Sequence, residues 1–177
     1  MKTVGDTIGD FKVTGVTPEN NFFEITHQSF PHQWKIIVFY PKDFTFVCPT
    51  EIIAYDALYD EFRKRDTTLM IGSTDNEFVK VAWKEADPQL TKLKSIMFAD
   101  TYRGLDHSLV ENLGVYSQEE GAALRATFII DPNNIIQHVT VNNLNVGRNA
   151  DETLRVLDAL QTGEKTACNR PVGGSIL

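Results

Sequence analysis

Apolar residues follow two patterns along the chain. Some stretches are continuously apolar or alternate, which is typical of strands, and others repeat an apolar side chain every three or four residues, which is typical of helices. Strands are expected at residues 11–14, 22–26, 35–39, 68–72, 96–98, 125–131 and 135–141. Helices are expected from residue 49 to about 65, from Asp75 or Asn76 to Asp87, at residues 103–112, and from Asn149 or Asp151 to Gly163.

The order of these elements indicates the fold class. Strands that alternate with helices, followed by a hairpin and a last helix, predict an α/β fold with a mixed central sheet flanked by helices. The buried strand at residues 35–39 leads through Cys48 into a helix, an arrangement that thioredoxin-like folds use. We expect one domain at residues 1–163. Residues 164–177 lack periodicity and are expected to form a mobile C-terminal tail.

The second predicted helix carries an apolar face. Helical spacing brings Phe78, Val79, Ala82 and Trp83 to one side of it. Trp83 either packs against a functional site or belongs to the core, and the sequence leaves both readings open.

Charge and hydropathy exclude some partners. The net charge of −7 and the pI near 5.0 argue against nucleic acid or an anionic membrane as the main partner, because both select for basic patches. No apolar stretch is long enough to cross a bilayer. The first residues lack the basic and then apolar pattern of a signal peptide, so a cytoplasmic protein is expected.

Two cysteines, Cys48 and Cys168, are the candidate reactive groups. They do not form a Cys-x-x-Cys pair, and in the cytosol a cysteine pair is more often catalytic or redox-sensing than structural. Metal binding is not expected, since the four histidines lack ligand spacing: His27, His32, His107 and His138.

The surroundings of Cys48 predict a stabilised sulfur anion. A helix N-terminus favours an anion, and Pro49 is expected at the first helical position. Glu51 stands where a capping-box carboxylate would, and its charge opposes a thiolate unless a cation lies nearby. Arg125, at the entrance of a buried strand, is the best candidate for that cation.

Two further residues precede the cysteine. Thr45 could donate or accept a hydrogen bond at the same pocket, or serve only as a turn hydroxyl. Pro41 would shape the loop and shield it from water. Singly these residues are weak signals, but the spacing Pro41-x-x-x-Thr45-x-x-Cys48 is specific.

The run at residues 39–51 resembles the active-site signature of the peroxiredoxins, in the typical two-cysteine subfamily that includes bacterial proteins of the alkyl hydroperoxide reductase C type. The similarity extends over nearly the whole chain. It includes Trp83, Arg125 before residues 126–131, Arg148 at the end of residues 145–148, and a late cysteine.

The resemblance implies a thiol peroxidase. Cys48 would be the peroxidatic cysteine, Arg125 would stabilise its thiolate and orient the peroxide, and Thr45 with the Cys48 backbone N–H would bind the peroxide oxygens. Pro41 would pack over the site. The expected substrates are hydrogen peroxide, organic hydroperoxides and peroxynitrite, and no cofactor is implied.

The resemblance also implies partners. Glu51 and Arg148 would form an ion-pair network that fixes Arg125. Cys168 would be the resolving cysteine and would come from the partner subunit, so the unit would be a homodimer that assembles into a ring, a decamer or a dodecamer. The expected reductant is thioredoxin, a flavoprotein disulfide reductase or an adaptor disulfide reductase.

The chain departs from the family pattern around Cys168 and in one loop. Many members have Val-Cys-Pro where this chain has Ala167-Cys168-Asn169, and residues 87–99 lack the Gly-Gly-Leu-Gly loop of oxidation-sensitive members. The Tyr-Phe-bearing extra helix is also missing from the sequence, so a peroxide-robust enzyme is expected. A thioredoxin-type exchange protein and a chaperone or scaffold are the alternative readings.

Overall fold

The computed structural model describes residues 1–104 and 106–177. Its strands are β1 (Lys12–Val16), β2 (Phe22–Thr26), β3 (Trp34–Phe39), β4 (Thr67–Ser73), β5 (Ile96–Ala99), β6 (Tyr116–Ser117), β7 (Ala122–Ala123), β8 (Arg125–Ile130) and β9 (Ile136–Asn142). Its helices are α1 (Val47–Asp56), α2 (Tyr59–Arg63), α3 (Glu77–Ala86), α4 (Leu109–Leu113) and α5 (Ala150–Gln161), with a 3₁₀ turn at Leu90–Lys92.

Seven of the strands form one mixed sheet in the order β2-β1-β5-β4-β3-β8-β9. The pairs β3–β4 and β4–β5 are parallel, and the other neighbours are antiparallel. β6 and β7 pair separately. The expected mixed central sheet is confirmed, and β3, the strand that leads to Cys48, lies in its interior.

The sheet has a hydrophobic core on each face. Along β3, Ile36 and Val38 face the layer that contains α1, α3 and α5, while Ile37 and Phe39 face the layer of α4 and the N-terminal segment. Each fully buried side chain of this kind contributes about 1.5–3 kcal/mol. Cys48 belongs to the first layer, so the core that stabilises the sheet also encloses the sulfur.

The helix expected from residue 49 to about 65 is two helices in the structure. α1 begins at Val47 and ends at Asp56, and α2 begins at Tyr59. The Leu58 N–H donates to the Tyr55 carbonyl, three residues back, which tightens the turn and interrupts the helical pattern. The expected single helix is therefore wrong in its start and its continuity.

The buried face of α3 differs from the predicted one. Asn76 is the N-cap, accepting from the Val79 N–H. Phe78 is 67% exposed, whereas Lys80 and Lys84 are buried beside Trp83. The two lysines are buried because each ammonium reaches polar partners in the interior.

The last two helices begin at capped residues. The expected helix at residues 103–112 includes residue 105, which lies outside the described residues; the described helix α4 is capped by Ser108 and closed by Gly114 at φ 74°. α5 follows Asn149, whose side chain accepts from two backbone N–H groups. Gly163, at φ 68°, follows the end of α5 as expected.

Residues 164–177 form neither helix nor strand. The Arg170 side chain is buried and pairs with Asp158 of α5, and the Leu177 N–H donates to the Lys165 carbonyl. These contacts join the segment to the domain, and its mobility stays a prediction.

Candidate active site

Cys48 is the second residue of α1, inside the first helical turn. Phe46 is the N-cap and makes no side-chain capping bond. Pro49 is therefore the third helical residue, not the first as expected, a position where the missing N–H still forfeits no intrahelical bond. The Cys48 N–H belongs to the same unpaired group of the helix terminus, next to a thiol that is only 1% exposed.

Arg125 meets the sulfur from the start of β8. Its Nη1 lies 3.4 Å from Cys48 Sγ and donates to Glu51 Oε2 at 2.8 Å. Its Nε donates to the Leu144 carbonyl at 2.6 Å, so the guanidinium is held on two sides. The predicted cation beside Cys48 is thus present, and such a cation stabilises a thiolate.

Glu51 is the carboxylate that holds the two arginines of the site. Arg148 donates from Nε to Oε1 and from Nη2 to Oε2, both at 2.8 Å, and its backbone N–H donates to Oε1 at 2.9 Å. Burial alone would raise the pKa of Glu51, but the hydrogen bonds and charges of Arg148 and the charge of Arg125 lower it below its ordinary value. The capping-box reading is wrong, because the carboxylate faces the arginines.

Arg125, Arg148 and Glu51 form a buried cluster whose charges do not sum to zero. Arg125 and Arg148 bring two positive charges, and Glu51 brings one negative charge. All three side chains are at most 5% exposed, so water compensates little of the remaining positive charge. A Cys48 thiolate would complete the balance.

Arg148 has further supports on the far side of Glu51. It donates to the Ala126 carbonyl and to Thr127 Oγ1, and its guanidinium lies 5.8 Å from the Tyr55 ring centroid. The sequence signals the burial of Tyr55 by its helical spacing but not this contact.

A cavity of about 230 Å³ opens beside Cys48. Thr45 and Pro41 line it, as the spacing of the motif predicts. The Thr45 hydroxyl donates to the Lys42 carbonyl at 3.0 Å, so its lone pairs are what it offers to the cavity. The remaining lining residues, several of which the sequence does not connect with Cys48, are Lys42, Phe46, Val47, Glu120, Arg125, Leu144 and Asn145.

A buried ion pair that the sequence analysis missed supports the loop before Cys48. Lys80 Nζ donates to Ser73 Oγ at 2.7 Å and to Asp43 Oδ1 at 3.2 Å, and the Tyr40 hydroxyl also donates to Asp43. Burial lowers the pKa of Lys80 and raises the pKa of Asp43, as desolvation does to both members of a buried pair.

Trp83 joins the same layer. Its ring lies 6.0 Å from the Tyr40 ring and 5.7 Å from the Phe44 ring, centroid to centroid. Both open readings of Trp83 therefore hold, since it belongs to the core cluster of Cys48 and also packs on the active-site loop.

Cys168 lies elsewhere in the chain fold. It is exposed and lines a cavity between α5 and the C-terminal segment, and the residues of that cavity differ from those around Cys48. Within one chain, the described structure does not bring the two cysteines into a shared cavity.

Two features of the described residues bear on other functions. No group of histidine, cysteine, aspartate and glutamate side chains among them could hold a metal ion. None of the helices in the described part of the chain has the length and apolar character needed to cross a membrane.

The mixed sheet with helices on both faces defines a thioredoxin-like α/β fold, and a buried cysteine with an arginine beside its sulfur lies at the start of α1. The family model described as AhpC/TSA family matches residues 4–139. Alkyl hydroperoxide reductase C of Mycolicibacterium smegmatis is 43% identical over 180 residues, which cover 96% of this chain and 90% of that protein.

Solved structures agree. Mycobacterium tuberculosis AhpC has a TM-score of 0.82 at 41% identity, covering 91% of this chain and 99% of that one. The reduced 2-Cys peroxiredoxin of Plasmodium vivax has a TM-score of 0.90 at 34% identity, covering 99% and 93%. The chain belongs to the AhpC/TSA family and is a peroxiredoxin. The expected fold, family and enzyme class are confirmed.

Proposed function

We propose that this protein is an antioxidant peroxidase that reduces hydrogen peroxide and organic hydroperoxides at Cys48, with peroxynitrite as a further substrate to be tested. The observation that carries the proposal is the contact of 3.4 Å between Arg125 Nη1 and Cys48 Sγ at the cavity. The uncompensated positive charge of the Arg125, Arg148 and Glu51 cluster supports a thiolate there, and the thiolate is the nucleophilic form.

In the proposed first step the thiolate attacks one peroxide oxygen. The Sγ–O bond forms as the O–O bond breaks, and the leaving oxygen departs as alkoxide or hydroxide and takes up a proton to become alcohol or water. The Cys48 N–H and the Arg125 guanidinium are donors near the developing charge, and the Thr45 hydroxyl oxygen can accept a hydrogen bond from the peroxide O–H. Cys48 becomes a sulfenic acid.

In the proposed second step Cys168 of the partner subunit resolves the sulfenic acid. Its thiol condenses with it to give an intersubunit disulfide and water. The separate cavities of Cys48 and Cys168 support a partner from another chain. The position of β9 at the sheet edge supports a dimer, although the first residue of this strand pairs with the N-terminal segment. The first turn of α1 must unwind, because a disulfide needs Cα atoms within roughly 7 Å.

Ring assembly, as a decamer or dodecamer of such dimers, is part of the proposal. Four aromatic side chains are exposed on or near the active-site loop and α3, more than a monomer surface needs: Phe22, Phe44, Phe46 and Phe78. Phe22 and Phe78 pack edge to face at 5.3 Å, so these two side chains form a joined apolar patch. Such a patch is typical of a protein interface.

The reductant is proposed to be a dithiol protein of the cytoplasm: thioredoxin, a flavoprotein disulfide reductase or an adaptor disulfide reductase. Residues 1–163 are proposed as the catalytic domain and residues 164–177 as the segment that carries Cys168 to its partner. Turnover reconstituted with each reductant in parallel distinguishes the three.

The proposal is tested by peroxide consumption with a dithiol reductant. We expect Cys48→Ser to abolish turnover while keeping the assembly. Cys168→Ser should complete one turnover and then stop with a thioredoxin-type reductant. If wild-type protein consumes no peroxide but protects client proteins from aggregation, the chaperone reading replaces this one.

We also propose that the enzyme is peroxide-robust. Residues 87–99 lack the Gly-Gly-Leu-Gly loop, which supports this. Sulfinic acid formation at Cys48 under rising peroxide should lag behind that of an oxidation-sensitive relative. Equal susceptibility of the two proteins would overturn the expectation.

A further inference from the structure

Cys168 lies on a closed turn. The Arg170 N–H donates to the Ala167 carbonyl at 3.3 Å, and Asn169 adopts φ 58°, so Cys168 and Asn169 form the exposed corner. The residue that closes this turn, Arg170, is the one that enters the domain.

Asp158, on α5, binds the residues at the end of this turn. Its Oδ2 accepts from Arg170 Nη1 at 2.7 Å and from the Gly173 N–H at 2.9 Å. Arg155 Nη1 donates to the Arg170 carbonyl at 3.3 Å. The side chain of Arg170 is 5% exposed and that of Asp158 is 16% exposed, so bulk solvent screens this ion pair only partly.

The same carboxylate has a second arginine that is not on the tail. Arg65, which follows α2, donates from Nε and Nη2 to Asp158 Oδ1, both at 3.3 Å. Hydrogen bonds and charges from these partners hold the pKa of Asp158 below its ordinary value despite burial, so the carboxylate is ionised near neutral pH.

We propose that Asp158 and Arg170 form a tail latch, a positioning pair whose release limits the rate at which Cys168 resolves Cys48. The inference rests on the proposed two-cysteine function. Cys168 has to leave the turn at residues 167–170, which is attached to α5, to reach a sulfenic acid in another cavity. The bond from Arg170 to Asp158 must break before this segment moves.

The latch also sets the competition at Cys48. The sulfenic acid either condenses with the Cys168 thiol, forming S–S and releasing water, or attacks a second peroxide to become sulfinic acid while that peroxide is reduced to alcohol or water. A slower resolving step leaves more time for the second reaction. The tail latch therefore tunes the yield of sulfinic acid without touching peroxide.

Two variants open the latch from opposite sides, and a third is a matched control. Arg170→Met keeps the apolar stem and removes the charge, and Asp158→Asn keeps the shape of the acceptor. Either should accelerate disulfide formation about tenfold, the factor typical for loss of one charge-assisted hydrogen bond. Arg65→Met removes an arginine from the same carboxylate but leaves the tail contact, so its resolving rate should match wild type.

Three measurements separate the latch from a general structural effect. The rate of sulfenic acid formation at Cys48 should stay within about twofold of the wild-type rate in all variants, because the substituted residues are distant from Cys48. Hydrogen exchange of residues 164–177 should rise in Arg170→Met and Asp158→Asn only. Higher salt should speed resolution in wild type and leave the two open variants unchanged.

The outcomes distinguish two failures. If wild-type protein forms sulfenic acid but no disulfide with Cys168, the proposed function fails in its second step. If the disulfide forms, and Arg170→Met and Asp158→Asn resolve at the wild-type rate although exchange of the tail has risen, the latch does not limit resolution and the inference is overturned. Unchanged exchange would overturn it as well.

Discussion

Cys48 lies in a buried cluster with the charged side chains of Arg125, Arg148 and Glu51. Arg125 and Arg148 exceed Glu51 by one positive charge, in a cluster that is almost closed to water. In the proposed mechanism, a thiolate at Cys48 would supply the missing negative charge. In the sequence, the charge of Glu51 is expected to disfavour a thiolate at Cys48. In the fold, the Glu51 carboxylate instead holds Arg125 next to the sulfur.

Arg125→Met should slow the reaction of Cys48 with peroxide by about 10²–10³-fold, the usual cost of removing one donor from a site of developing charge. Single-turnover kinetics with a peroxide measure it, and the exposed arginine variant Arg63→Met serves as a control of the same type. A rate within a few-fold of wild type would show that the guanidinium is not needed for the chemistry.

Glu51→Gln should lower the free energy of unfolding by about 3–5 kcal/mol at neutral pH, because two buried guanidinium groups lose their anion. The pKa of Glu51 is depressed, so its stabilisation is fully present above the ordinary carboxyl pKa of 4.5 and is lost as pH falls through the depressed value. Urea unfolding of both proteins at several pH values should therefore converge in acid. A difference that stays constant with pH would contradict the ion-pair account.

Sequence reasoning reached Arg125 by a charge argument, since Glu51 beside a reactive cysteine demands a cation. The burial of Lys80 was not predicted, because a lysine is almost never fully buried unless it has a charged partner, and the sequence does not show that partner. That partner, Asp43, lies 37 residues away in the chain and meets Lys80 only in the folded loop. Patterns report burial of apolar side chains, whereas a buried ion pair depends on tertiary geometry.

At the scale of elements, the N-terminus of α1 is capped less well than the sequence suggests. α1 begins two residues before Pro49, and its N-cap side chain, Phe46, is 95% exposed and makes no hydrogen bond. Contacts of Cys48 and Glu51 with Arg125 of β8, and of Glu51 with Arg148 before α5, join this end of the helix to the sheet. An element with so weak a cap can open locally, as the proposed resolving step would require.

The junction of β5 and α4 carries a pH-dependent element. Asp100 is fully buried and accepts from the Val110 N–H at 2.6 Å, and burial raises its pKa to about 6 in spite of that bond and of Arg103. A raised carboxyl pKa means that its contribution to stability is present below the ordinary pKa of 3.8 and is lost as pH rises through about 6.

Wild-type protein should therefore lose about 2.5 kcal/mol relative to Asp100→Asn between pH 4 and pH 7, because most of the shift of about two pKa units is titrated in that range. Urea unfolding of the two proteins across this range measures the change, and Asp106→Asn, an exposed carboxylate of the same loop, is the control. Parallel stability curves for wild type and Asp100→Asn would contradict it.

At the scale of the molecule, the strands of the main sheet were predicted because each contains an apolar run, such as residues 36–39, or an alternating pattern. The two-residue strands β6 and β7 were not predicted, because they are too short to show a pattern. The sheet order and the pairing of β3 with β8 were not predicted, since neighbours such as Ile37 and Phe128 are far apart in sequence. The C-terminal segment shows the same limit, because Arg170 in an aperiodic stretch gives no signal of its buried contact with Asp158.

The exposed aromatic patch should govern assembly. Phe78→Asp puts a charge on α3 at a side chain that is 67% exposed, so it should leave the subunit folded and reduce any ring to dimers. Light scattering after size exclusion measures the mass, and Val4→Asp, an exposed apolar residue outside the patch, is the control. A ring of unchanged mass would mean that assembly uses another surface.

The central claim is that peroxide oxidises Cys48 first. The most direct test treats the Cys168→Ser variant with one equivalent of peroxide, traps sulfenic acid with dimedone and maps the modified residue by mass spectrometry. The account predicts a label on Cys48 that disappears in the Cys48→Ser, Cys168→Ser double variant. Peroxide loss without a label on Cys48 would contradict it.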